Sequence, residues 1–179
     1  MQEITSPGKS ALNYGVAFGI IMILEFVVMY VLDINPQDAP LVGVIINVLN
    51  YVILPFAFIY LAANNFKLNF NKGFISLSET LKIGLTVCAL AALMYGIFYL
   101  IFDIIVPEFK QELLSKIQEV TVKQTPSITS EQLKMSMKFV EMFMRPYVVI
   151  PFTILMYCVI GLIHALIVGL VIKKDKPAF

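Results

Sequence analysis

The residues able to do chemistry in this chain are few, and they stand where polar groups are costly. Glu25 interrupts one apolar run, Asn47 and Asn50 lie in a second, Tyr95 and Tyr99 in a third, and Tyr157 and His164 in a fourth. If these runs are helices, spacings of three, four and seven residues put each pair on one face. Such groups in hydrocarbon must turn inward and find partners, so together they form a candidate intramembrane polar cluster. One role is a proton- or ligand-binding site entered from outside. The plainer role is an interhelical hydrogen-bond network around a protonated Glu25 carboxyl, because an unpaired charge is too costly to bury. His164 reads as a buried histidine satisfied within the protein rather than as a ligand.

Catalytic patterns are missing. There is no HExxH, no GxSxG, no P-loop, no workable carboxylate pair and no His-Cys cluster, so the expectation is a protein that is not an enzyme and carries no cofactor or metal. The pairs Met135/Met137 and Met142/Met144 invite a copper(I) reading. Residues two apart on a helix diverge by about 200°, however, and flexible apolar contact is the better account. Cys88 and Cys158 sit inside apolar runs without CxxC spacing and read as small buried residues.

The elements that must position these groups are the runs themselves, residues 11–32, 40–63, 83–106 and 147–172. Crossing a hydrocarbon core of roughly 30 Å takes about 20 helical residues at about 1.5 Å each, and all four runs reach that length. Composition agrees: of 179 residues, 59% are hydrophobic and 14% charged, with a mean hydropathy of +0.86. Lipid must be the solvent for the outer faces. A net charge of +1 gives no patch dense enough for nucleic acid. The first run reads as a retained span, since it is longer than a signal peptide's apolar core and lacks a cleavage motif. Its Leu, Ile, Val and Phe residues, at about 0.3–0.6 kcal/mol each, outweigh a Glu25 penalty of about 3 kcal/mol.

Lys and Arg set the orientation. Lys9 precedes the first run; Lys67, Lys72 and Lys82 follow the second; Lys173, Lys174 and Lys176 follow the last. The first connection has Asp33 and Asp38 and no base. By the positive-inside rule both termini and the second connection are cytoplasmic, and segment 107–145, whose bases are balanced by glutamates, is outside. The expected compartment is a bacterial inner membrane, with that segment in the periplasm.

The connections carry local signals. Asn35-Pro36 predicts a tight turn that packs the first two spans antiparallel, and Asn71-Lys72-Gly73 predicts another turn. Ser76 with Glu79 makes a capping box, so the third helix should start before its apolar run. Phe66, Leu68 and Phe70 alternate with polar residues and read as an interfacial segment. In the outer segment, Phe109, Leu113, Ile117 and Val120 mark one amphipathic helix. After a break at residues 124–127, Thr129 and Gln132 cap a second, whose stripe is Leu133, Met137, Val140 and Met144.

The runs Gly73-Phe74-Ile75-Ser76 and Leu81-Lys82-Ile83-Gly84, then Val106-Pro107-Glu108-Phe109, and the closing Lys173-Lys174 resemble an uncharacterised family of small bacterial four-span membrane proteins, known only as a domain of unknown function. The resemblance extends over nearly the whole chain. It implies a fold and a compartment, and brings no activity and no functional residue.

The predicted fold is therefore an all-α membrane protein: a single domain over residues 1–179, with four transmembrane helices in an antiparallel bundle and a periplasmic pair of amphipathic helices. Small residues at four-residue spacing mark the seams: Gly15 and Gly19; Gly84, Cys88, Ala92 and Gly96; Gly161, Ala165 and Gly169. Pro55 should kink the second span. The expected role is an accessory or scaffold protein binding a membrane or periplasmic partner, or a second copy, through the Leu133–Met137–Val140–Met144 stripe. The alternative is a small oligomeric channel or proton-coupled carrier using Glu25.

Overall fold

The structure, a computed structural model, describes residues 5–34 and 39–176, so the expected Asn35-Pro36 turn lies outside the described residues. Four helices are long and apolar enough to cross a membrane: α1 (Pro7–Val31), α2 (Pro40–Phe70), α3 (Leu77–Ile105) and α6 (Pro146–Ile172). Between α3 and α6 lie two shorter amphipathic helices, α4 (Pro107–Gln124) and α5 (Ser130–Phe143). Proline opens α1, α2, α4 and α6. At the first helical position its missing N–H would have no partner anyway, and its fixed φ already suits the helix.

Capping explains the other starts. Ser76 Oγ accepts the Glu79 amide at 3.2 Å, while Glu79 Oε2 accepts the Ser76 amide at 2.7 Å. Thr129 and Gln132 repeat this exchange at 3.2 and 3.1 Å. Each box satisfies donors that a helix start otherwise leaves unpaired. The turn before α3 takes Lys72 and Gly73 to φ +54° and +85°.

α2 departs from a plain helix twice, with π-turns at Leu49–Ile53 and Phe66–Phe70. The first lies directly before Pro55, which has no N–H for the ordinary i−4 bond and crowds that carbonyl. A widened turn removes the clash without breaking the helix. The second π-turn corrects an expectation. Residues 66–70 do not form a separate interfacial segment but continue α2, and Phe66 is buried while Leu68 and Phe70 are exposed.

α3 is the centre of the bundle. One side packs on α6: a Cβ built on Gly84 would meet the Ala165 Cβ and lie 2.7 Å from Gly161 O, and one on Gly161 would lie 2.9 Å from the Cys88 Cβ. Gly169 faces Thr80, and Gly96 faces Ile150. Rising numbers on α3 thus meet falling numbers on α6. The other side packs on α1, where Gly15 meets Val87 and Leu90, and Gly19 meets Ala91 and Met94. Ala92, between these sides, is fully buried. Absent side chains let the backbones close up, and dispersion across the seam holds them where lipid removes any hydrophobic drive.

At the end of the bundle where α2 and α6 finish, the chain is clipped shut. Ile75 and Lys174 exchange both backbone hydrogen bonds at 2.9 Å as an isolated antiparallel bridge. Lys67 Nζ donates to Ile172 O at 2.8 Å, satisfying a carbonyl at the α6 terminus. The Lys174 ammonium also sits 5.4 Å from the Phe74 ring centroid.

Candidate functional site

At the opposite end, α2 leaves the bundle. Its inner half buries Pro55, Ile59, Ala62 and Ala63, whereas Pro40–Val48 buries nothing among the described residues. The first π-turn separates these halves, and the polar residues sort themselves about it. Asn50, inside the turn, donates from Nδ2 to Glu25 Oε2 at 2.6 Å and to Ile46 O at 3.2 Å. Its Oδ1 is buried and has no partner among the described residues. Counting helix rise from Val31 and Pro40, this Glu25–Asn50 contact lies about 9–15 Å below the helix ends.

Around the pair stand rings. Tyr51 and Tyr157 lie 5.8 Å apart, and Phe18 stacks on Phe58 at 5.6 Å below them. Counted by helix rise, Tyr95 and Tyr157 lie about 15 and 17 Å inside the ends of α3 and α6, close to the depth of the pair. Glu25, Asn50, Tyr95 and Tyr157 therefore gather near one level, on α1, α2, α3 and α6. This cluster can hold a proton on the Glu25 carboxyl, or serve only to join helices.

The other expected members stand elsewhere. Asn47, one turn from Asn50, is exposed on the detached half of α2 and does not join the cluster. Tyr99 donates to Met144 O at 3.1 Å, tying α3 to the α5–α6 junction. His164 Nδ1 lies 2.9 Å from Ile160 O, one turn back on its own helix, and the ring meets Phe56 edge-on at 6.5 Å. That oxygen can only accept, so Nδ1 carries the proton. The α5 stripe Leu133, Met137, Val140 and Met144 is half-buried, leaving Met135, Phe139, Met142 and Phe143 as the exposed apolar residues of that segment.

Two features had no counterpart in the expected site. Phe26 is the hub of a ring cluster, with Phe98, Phe102 and Phe109 at 5.4, 4.8 and 5.6 Å. These edge-to-face contacts anchor the start of α4 against α1 and α3. Behind them, under α4 and α5, lies an apolar cavity of about 480 Å³. The rings were visible as residues, but no local spacing links Phe26 to Phe109. Outside the spans, the Lys123 ammonium at 2.7 Å from Glu119 holds that exposed carboxyl below its ordinary value. Tyr147, whose hydroxyl accepts from the Arg145 Nη1 at 2.8 Å, raises the guanidinium's already high value.

No curated protein and no solved structure matches this chain. Four helices are long and apolar enough to make this a membrane protein, and the family model described as protein of unknown function, DUF4199, covers residues 13–174, so the chain belongs to that family.

Proposed function

We propose that this protein is a non-enzymatic accessory or scaffold protein of a bacterial inner membrane, which binds an integral or periplasmic partner. In this reading the spans form an antiparallel bundle with both termini and the Lys72–Gly73 turn in the cytoplasm. α4 and α5 then lie on the periplasmic side. The bases at residues 67, 72, 82, 173, 174 and 176 support that orientation.

The observation that carries the proposal is Asn47. Its amide is exposed about 10 Å below the start of α2, on a half-helix that buries nothing among the described residues. An amide facing hydrocarbon without a partner is disfavoured by about 2–7 kcal/mol. Another polypeptide, or a second copy, would supply the missing partner and cover this half of α2. The exposed Met135, Phe139 and Met142 of α5 offer a separate apolar face. A photo-crosslinking side chain at position 47 should capture a protein, and the same probe at lipid-facing Leu93 should not. Crosslinks to lipid alone at both positions would end this reading.

A second reading is favoured by the unpartnered Asn50 Oδ1 beside Glu25. A carboxyl held by an amide N–H at a π-turn, with the amide oxygen left over, suits a proton or cation carrier. Glu25→Gln keeps the hydrogen bonds and removes the ionisable group. A folded Glu25→Gln protein that has lost ion flux in vesicles would select the carrier; unchanged behaviour selects the scaffold.

A further inference from the structure

The cavity under α4 and α5 is bounded by five helices, with Phe26 on α1, Tyr95 on α3, Phe109 on α4, Val140 on α5 and Thr153 on α6. Its position follows from helix rise. Phe26, Tyr95 and Thr153 lie about 8–15 Å inside the ends of their helices, within the leaflet on the α4–α5 side. Phe139 and Phe143 both line the space and are exposed, so it opens to the outside along α5. A bilayer chain end passing that opening needs to cross no polar barrier.

We propose that this cavity holds one acyl chain of a membrane phospholipid, whose phosphate lies at the rim near Lys110 and Arg145. Three observations support it. First, size: at about 480 Å³ the space is far larger than a few waters need and has room for a hydrocarbon chain. Second, chemistry: the walls are aromatic and aliphatic, and an empty apolar space of this size forfeits dispersion contacts that a chain restores. Third, charge: Lys110 and Arg145 stand next in sequence to the lining residues Phe109 and Met144, and although Arg145 also reaches Tyr147 and Glu141, the two bring positive charge to the chain around the cavity that would complement a phosphate. The inference does not depend on the proposed function, since a bound lipid serves a scaffold and a carrier alike.

The test uses the full chain reconstituted into phosphatidylethanolamine–phosphatidylglycerol vesicles, re-extracted in mild detergent and weighed intact by native mass spectrometry. One phospholipid per chain should survive in the wild type and in Leu93→Trp, which adds bulk on the lipid face. Val140→Trp and Thr153→Phe, on different helices, should each fill the space and lower retention about tenfold. Retention by the wild type should also vary with acyl-chain length, a measurement that needs no variant. Wild-type protein carrying no phospholipid, retention indifferent to chain length, or wall variants that hold as much lipid as Leu93→Trp would each overturn the proposal.

Discussion

Gly84 and Gly161 set the distance between α3 and α6, and a single methyl group there should be felt through the whole bundle. A Cβ at position 84 would meet Ala165 and lie 2.7 Å from Gly161 O, where 3.4 Å begins ordinary contact. The obstacle is partly backbone, so no rotamer change relieves it and the helices must part by about 0.7 Å. A gap of that size forfeits about a quarter to a half of the dispersion energy of the atoms it separates. Gly84→Ala should therefore destabilise by about 1–3 kcal/mol, the usual range for overpacking. Ala165→Gly in the same chain removes the nearest neighbour but leaves the carbonyl, so the double variant should recover part of the loss, with a coupling of about 0.5–3 kcal/mol. The measurement is reversible unfolding in mixed detergent and SDS, followed by far-ultraviolet dichroism. Leu93→Ala, on the lipid face, is the control. If Gly84→Ala unfolds at the same SDS fraction as the control, or if Ala165→Gly adds to the damage, the close seam is not what holds α3 to α6.

Two further outcomes test smaller features. Ser76→Ala removes the oxygen that caps α3 and should lower stability by about 0.5–2 kcal/mol, with faster amide exchange confined to residues 77–80; exchange unchanged there would deny the cap. Glu119 should titrate below the ordinary glutamate value in a carboxyl-resolved NMR titration, and Lys123→Gln should return it toward that value. The sign follows from the lowered folded value. Whatever the pair adds to α4 is present above the ordinary glutamate range and is lost as pH falls through the lowered value.

What was legible in the sequence was local. Apolar runs announce spans because a bilayer demands length and little else, and Ser76–Glu79 and Thr129–Gln132 announce helix starts because capping acts over three residues. The small-residue spacing was equally plain, though not which stripe meets which. Asn47 and Asn50 show where such reasoning stops. On a regular helix they share a face, but the π-turn before Pro55 shifts the phase and the outer half of α2 parts from α1, so only Asn50 meets Glu25. Phe66–Phe70 misled in the same way, since alternation of aromatic and polar residues also suits a π-turn with one buried ring. Lys67 and Ile172 are 105 residues apart, and only the finished bundle brings them together.

The clip between Ile75 and Lys174 has a consequence for biogenesis. During synthesis the stretch before α3 emerges with the Ile75 amide and carbonyl still open. Their partner follows 99 residues later, which at about 5–20 residues per second is a wait of about 5–20 seconds. Three spans must then be held by the α1–α3 seam and the contacts of α2 with it until α6 enters and its last turn meets Lys67. A chain stopped short of Pro146 would leave Ile75 and Lys67 without these partners and the α6 face of α3 open. Quality-control proteases that recognise loose ends would find that end of the bundle first, so the clip marks completion as well as adding strength.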